Sequence, residues 1–356
     1  MTLWDVILYT FPFSISDSKG SGVERYAYQL SSNLPKLNVK IKSISKFTGS
    51  RTEQYIRAFT EVPIKTLLTK TRLYHAVSPY SAAFLFSLRT NCRPIITSVH
   101  DVTYLDLPLE YSDFFSKRRA KWSIMAIKKS KKIIVPFNYT KKRIQAEFGI
   151  EDERIEVVRY GIDLTRFFNL KDNKIHDDPL FDVLFIGGVN PILRGAPTVL
   201  KTYKILSSHT PSLRLAISGS GPQMERTISL AKDMGLAKVI NWLGFIPENQ
   251  LPEIIARSRV FFYPSTMGFS YLMMQAMASS VPLVTTSVFD VPEFVRGAAI
   301  VFEPEDSENY AAAILELIDD VKYRQELVTR GNEVLSSYSP QAMALETARV
   351  YDKCLQ

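Results

Sequence analysis

Short apolar runs, each followed by an amphipathic stretch, recur along almost the whole chain, and no other feature narrows the fold as far. In the first half the runs are "VILYTF", "VKIKSI", "RLYHAV", "PIITSV" and "KIIVPF", separated by segments such as "GVERYAYQLSSNL". Runs of this kind suit strands buried on both faces, and their alternation with helix-length segments predicts parallel sheets built from βαβ units. The stretch "FNLKDNKIHDDPL" (168–180) is charged and unpatterned, and reads as an interdomain linker. The alternation then restarts with "DVLFIGG", "LRLAISGSG", "VINWLG", "VFFYPS", "PLVTTS" and "AIVFEP". From Asp306 to Cys354 the pattern is helical, with a break near "SSYSP", and no solenoid-period repeat or low-complexity tract interrupts the chain. A length of 356 residues accommodates two such domains. Two doubly wound domains imply a cleft between the carboxyl ends of their sheets, where ligands of open α/β sheets bind.

Composition excludes several classes. With 46% hydrophobic and 22% charged residues the chain reads as globular. No apolar run approaches the roughly 20 residues of a membrane-spanning helix. The opening "MTLWDVILYT" has no basic region and is interrupted by Asp5, so it reads as a strand and not as a signal peptide. Two cysteines, Cys92 and Cys354, support neither a disulfide scaffold nor a thiol-rich metal site, which makes a reducing cytoplasm the expected compartment. Charge is unevenly shared: residues 1–170 hold 27 Lys and Arg against 15 Asp and Glu, and the remainder 17 against 21. The basic excess clusters in "SKRRAKW" (116–122), "KKSKK" (128–132) and "TKKRI" (140–144). Solvated helix faces account for such clusters, and so does an anionic partner: a membrane surface, a phosphorylated acceptor or, last, nucleic acid, whose binding modules the patches do not match.

Candidate chemistry lies in the loops that leave strands and open helices. "SDSKGSGVERYAYQL" places Gly20 and Gly22 before a helix whose free N–H groups suit an anion, a weak signal alone. "ITSVHDVTY" puts His100 and Asp101 beyond a strand end, where a histidine satisfying a loop carbonyl fits as well as a functional one. "GGVNPILRGAPTVL" sets Arg194 on a turn opening a helix, able to clamp phosphate bidentately. "ISGSGPQMERTI" offers Gly219 and a helix starting at Pro222, and "WLGFIPENQLPEIIARS" ends a strand at Gly244. "FFYPSTMGFSYLMMQAMASSVPLV" is strand, glycine turn, helix and strand, with no ionisable Asp, Glu, Lys, Arg or His from Ser265 to Ser280. Its Met273, Met274 and Met277 read as core filler.

Taken in order, "VRYGIDLTRF", "FIGG…RG", "LRLAISGSGP", "VINWLGFIPENQLPEIIARSRVFFYPS", "GFSYLMMQAMASSVPLV" and "YSPQAMALETARVY" resemble glycosyltransferase family 4, retaining enzymes of the GT-B fold. The resemblance runs from about Arg159 to the C-terminus, with "GSGVERYAYQL" and "SVHDVTYLDLP" in the corresponding earlier places. It implies two Rossmann-like doubly wound domains: an acceptor domain at 1–170, on which the closing helix (341–356) packs, and a nucleotide-sugar donor domain at 171–340. It implies a hexosyltransferase that uses a nucleoside-diphosphate sugar with retention, with no cofactor and no metal, on a glycan, glycolipid or phosphorylated lipid acceptor. In this reading the enzyme is cytoplasmic or peripheral to a membrane. By motif, Arg194 would meet the donor diphosphate, in place of the family's usual lysine. Phe245 and Ile246 would lie against the base. The turn Gly268–Phe269–Ser270–Tyr271 would present N–H groups to diphosphate or sugar. Gly20 and Gly22 would close over the phosphates, His100 would hydrogen-bond the transferred sugar, and Asp101 would orient or deprotonate the acceptor.

The chain departs from that pattern in three places. The family's two glutamates, eight positions apart, align with Met267 and Gln275. Its first phosphate arginine aligns with Gly188 or Val189. Phe289–Asp290 replace paired glycines, although Glu293 stays. Gln275 can still exchange hydrogen bonds with ribose hydroxyls, whereas Met267 cannot. An atypical donor, a slow enzyme and a non-catalytic nucleotide- or glycan-binding protein all fit these changes, as does another GT-B activity such as an epimerase or phosphorylase.

Overall fold

The computed structural model describes residues 4–10, 22–44, 60–61, 63–88, 93–102, 114–170 and 179–356. Gly20 lies outside them. The chain forms two compact units: residues 1–161 with 338–356, and residues 162–337.

The first unit carries a parallel sheet of β1 (Trp4–Tyr9), β2 (Ile41–Ile44), β3 (Thr71–Ala76), β4 (Ile95–Ser98), β5 (Lys132–Val135) and β6 (Ile155–Val157), in the order β2-β1-β3-β4-β5-β6. Register pairs Val6 with both Ile41 and Leu73. Its central strands are buried on both faces, as continuous apolar runs require. Ile7, Tyr9, Ile44, Tyr74 and Ile95 pack in one cluster, and Val99, Ile127, Ile133, Ile144 and Ile155 in another. The strand β6 carries no apolar run: it is three residues long, contains Glu156, and lies at the sheet edge, where only Ile155 is fully buried.

Four helices of this unit are α1 (Gly22–Asn33), α2 (Pro79–Ser87), α3 (Phe114–Lys129) and α4 (Asn138–Phe148). The last helix of the chain, Pro340–Leu355, belongs here too. It packs on α1 and β3, with Ser339 capping its first turn. Lys131 Nζ donates to the Cys354 carbonyl at 2.8 Å, and Lys353 pairs with Glu156 at 2.9 Å. Gly161 admits the approach: a Cβ there would sit 2.6 Å from the Pro340 backbone.

The second unit repeats the architecture with β7 (Phe181–Ile186), β8 (Leu215–Ser218), β9 (Ile240–Gly244), β10 (Ser258–Tyr263), β11 (Leu283–Thr286) and β12 (Ile300–Phe302), all parallel, in the order β12-β11-β10-β7-β8-β9. All six strands fall on the apolar runs of the second half. Its helices are α5 (Ala196–His209), α6 (Pro222–Asp233), α7 (Leu251–Ala256), α8 (Tyr271–Ala278), α9 (Val291–Val295), α10 (Ser307–Asp319) and α11 (Val321–Leu335). Met273, Met274 and Met277 are buried, and α8 packs on α7 and α11. The strand order reverses between β7 and β10, which defines this sheet's ligand crevice at its carboxyl edge.

Candidate functional site

Five loops leave the carboxyl ends of β7, β8, β9, β10 and β11, and they interlock. The Gly187 amide donates to the Ser218 carbonyl (2.8 Å), the Ser220 amide to the Gly188 carbonyl (2.9 Å), and the Gly219 amide to the Gly244 carbonyl (3.0 Å). Ser218 Oγ donates to Gly244 as well (2.8 Å). The turn after β10 is braced by Thr285 and Thr286 of β11, which donate to the Tyr263 and Ser265 carbonyls. Thr266 Oγ1 reaches back to the Leu193 carbonyl. At the strand reversal the β7 and β10 loops touch. Gly195, at φ 95°, caps α5 against the Pro264 carbonyl, where a Cβ would collide. Only glycine combines that dihedral with that approach.

Arg194 precedes this glycine and is half-buried. Among the described residues its guanidinium makes no hydrogen bond or ion pair. An arginine held beside a helix start without a carboxylate partner is an anion site in waiting. Gly219 is buried in the β8 turn and α6 starts at Pro222. Phe245 is 69% exposed after β9, an aromatic face turned to solvent, and Ile246 beside it is half-buried.

The β10 turn differs from its expected form. Gly268 takes φ 74° and is buried, as the turn requires. The Phe269 amide, however, donates to Asp290 Oδ1 (3.1 Å), and the Leu272 amide to Ser270 Oγ. Of the turn's donors, the amides of Gly268 and Ser270 are without partners among the described residues. A carboxylate therefore already sits where a ligand anion was expected, supplied by one of the two residues that replace glycines. It is positioned by Phe289, whose φ of 53° is rare for an aromatic residue.

Gln275 also departs from expectation. Its side chain is 2% exposed, and Nε2 donates to Glu248 Oε1 at 2.7 Å. Since a carboxylate oxygen only accepts, the amide orientation is fixed, and Gln275 Oε1 is left buried without a hydrogen bond. Nucleoside hydroxyls cannot reach this glutamine as it stands. Two further buried acceptors at the same edge, Asn190 Oδ1 and Gln223 Oε1, lack partners among the described residues. Glu293 is half-buried in the first turn of α9. Sequence reasoning missed Glu248: one acid in a loop of "IPENQ" carries no signal until the fold brings it to Gln275.

The strand-end polar groups of the first unit are arranged differently. His75, fully buried on β3, is 2.7 Å from both Tyr351 Oη and Ser98 Oγ, and Tyr26 Oη lies 2.9 Å from the same serine. Burial, reinforced by His100 nearby, pushes the His75 imidazole down to about 3, so it stays neutral. His100 Nε2 donates to the Val77 carbonyl (2.7 Å), so Nδ1 accepts from Tyr160 Oη (3.0 Å). Its ring stacks near that of Tyr160 and meets Tyr26 edge-on. Burial lowers its pKa against opposing contributions from Val77 and Asp101. Both ring nitrogens are thus engaged, and a sugar hydroxyl would have to displace one partner. Asp101 is exposed beside it, and Gly22 opens α1 at the surface.

Known proteins agree with this architecture. Residues 168–334 match the family described as Glycosyl transferases group 1, and residues 64–166 match Glycosyltransferase Family 4. The two matches fall on successive parts of the chain, and each covers less than half of its 356 residues. Over 173 residues, 47% of the chain, it is 30% identical to the O-antigen chain mannosyltransferase B of Escherichia coli, and the aligned part spans 45% of that protein's length. The fold is shared with sucrose-phosphate synthase from Thermosynechococcus elongatus (TM-score 0.78, 16% identity, 98% of both chains). It is shared also with Anabaena HepE solved with UDP and glucose (TM-score 0.74, 12% identity, 98% of this chain and 99% of that one).

Proposed function

We propose that the chain transfers a sugar from a nucleoside-diphosphate donor, bound at the carboxyl edge of the second unit, to a glycan, glycolipid or phosphorylated-lipid acceptor met by the first, with retention of configuration. The observation that carries this reading is Arg194: a half-buried guanidinium with no partner among the described residues, at the strand reversal and two residues before α5. Cleaving a glycosyl phosphate bond builds negative charge on the leaving diphosphate. A preorganised guanidinium and adjacent helix N-termini stabilise that charge, so the reading calls on no metal. Phe245 offers a stacking face for the base. Retention follows if the acceptor attacks on the face the diphosphate leaves and the leaving group takes its proton, a route that needs no carboxylate pair. Support comes from the two glycosyltransferase families matched and from the UDP and glucose bound to the Anabaena protein of the same fold.

A second reading, a nucleotide- or glycan-binding protein that does not transfer, is favoured by Asp290 and Glu248. These carboxylates engage Phe269 and Gln275 from within the protein and add negative charge around the donor turn. Thermal shifts with UDP, GDP, ADP, TDP and CMP, then with sugar nucleotides of whichever base stabilises, test the donor site, because a ligand specific for the folded state raises apparent stability by mass action. Slow hydrolysis of the stabilising sugar nucleotide marks a transferase. Binding without hydrolysis marks a nucleotide-binding form of the second reading, and the absence of any shift removes the donor site and leaves only glycan binding.

A further inference from the structure

The helix α3 carries large apolar side chains within its charged outer face. Its described exposed positions are Lys121, Trp122, Met125, Lys128 and Lys129, while Ala126 and Ile127 are buried. Spacings of three and four place those five on one face, with Trp122 (44% exposed) and Met125 (37%) between the lysines. The helix as a whole contains six Lys and Arg and no acid, and residues 114–146 contain eleven basic residues and no Asp or Glu.

The lysines of this face differ from their neighbours. Lys132 pairs with Glu156, Lys141 with Asp152 and Arg143 with Glu147, and Lys131 is bonded to the Cys354 carbonyl. Lys121, Lys128 and Lys129 form no ion pair or side-chain hydrogen bond among the described residues. Elsewhere in the same unit, the helical segment 63–68 buries Thr66 and exposes Ile64 (56%), Leu67 (63%) and Leu68 (65%). Large side chains exposed in consecutive turns are unusual on a soluble surface unless something covers them.

We propose that this face of the first unit docks on an anionic lipid bilayer, with Lys121, Lys128 and Lys129 among the phosphate headgroups and Trp122 and Met125 at the acyl boundary. The aliphatic segment 64–68 is a second insertion element. Lysines flanking an exposed indole are the arrangement that interfacial helices use, because the charges supply attraction and the ring supplies depth. A polynucleotide would explain the lysines, but it would leave the three exposed aliphatics without a role. The inference does not depend on sugar transfer.

The test is sedimentation of the full chain with vesicles of phosphatidylcholine alone and of phosphatidylcholine with phosphatidylglycerol, at fixed ionic strength. Wild type is expected to sediment with the mixed vesicles only. Lys121→Glu/Lys128→Glu/Lys129→Glu should lower that partition by about tenfold or more, and Trp122→Ala/Met125→Ala should lower it without changing its salt dependence. Melting temperatures and nucleotide-induced shifts within error of wild type would show that the fold and donor site are intact in these exposed-residue variants. Equal sedimentation with neutral vesicles, partition unchanged in the triple variant, or tighter binding to single-stranded RNA than to mixed vesicles would each overturn the proposal.

Discussion

The two units share one architecture and treat the polar groups at their strand ends in opposite ways. In the first unit His75, Ser98, Tyr26, Tyr351, His100, Tyr160 and the Val77 carbonyl are bonded to one another. In the second, Arg194, Asn190 Oδ1, Gln223 Oε1 and Gln275 Oε1 stand at the corresponding edge without partners among the described residues. A buried polar atom left unsatisfied costs about 1–3 kcal/mol, so a protein that keeps several in one place is holding them for something else. The first unit keeps such atoms too, Tyr9 Oη at the end of β1 and Gln29 Oε1 on α1, but its histidines are tied up, and the second unit's cluster beside Arg194 is the place to look for a ligand.

Breaking the closed network should therefore cost stability. His75→Ala removes a buried ring, strands the hydroxyl of Tyr351 and leaves Ser98 with Tyr26 alone, and about 3–5 kcal/mol should be lost in urea unfolding. A loss under 1 kcal/mol would mean that the network is slack. The same histidine predicts acid sensitivity. Its folded pKa of about 3 lies below the unfolded value near 6.5, so the unfolded chain binds the extra proton between those values and stability falls as pH falls. The loss from pH 6.5 to pH 4 should be on the order of 3 kcal/mol, and its slope should be shallower in His75→Gln.

At the open edge the signs reverse. Arg194→Ala should leave the melting temperature of the unliganded protein within about a degree and weaken nucleoside-diphosphate binding by about 2–3 kcal/mol, roughly 30- to 150-fold. Arg194→Lys should restore part of it, since a lysine keeps the charge without the fork. Unaltered affinity on calorimetry would remove Arg194 from the phosphate site. The smallest effect is expected at Asp290. Replacing it by Asn keeps an acceptor for the Phe269 amide and deletes a negative charge, so a free diphosphate should bind about fivefold tighter. Weaker binding would assign the carboxylate to hydroxyl recognition instead.

Eleven of the twelve strands are legible in the sequence as apolar runs, which in the inner strands reflect burial on both faces, while the edge strands β2, β9 and β12 keep the run and stay partly exposed. The exception, Ile155–Val157, is short, partly charged and on an edge, where that explanation does not apply. Arg194, Gly268 and Phe245 were legible by position, since loops after parallel strands converge on one edge. What sequence could not give was which partners those loops would choose. Gln275 looks like a weakened acid until Glu248, 27 residues away, takes its amide, and Phe289–Asp290 look like lost glycines until the aspartate bonds the turn. Likewise His100 reads equally as a ligand and as a histidine satisfying a loop carbonyl until Val77 and Tyr160 occupy both its nitrogens.

The closing helix has a consequence for the order in which the protein is made. The second unit, 162–337, is an insertion within the first, whose last piece begins at Tyr338. During synthesis the inserted unit has all its residues while the outer one still lacks Tyr351, the partner of buried His75, and Cys354, the acceptor of Lys131. The part translated first is thus the part completed last. A ribosome that stops within the final helix would release a finished second unit attached to an unfinished first one, with α1 and β3 uncovered where that helix should lie.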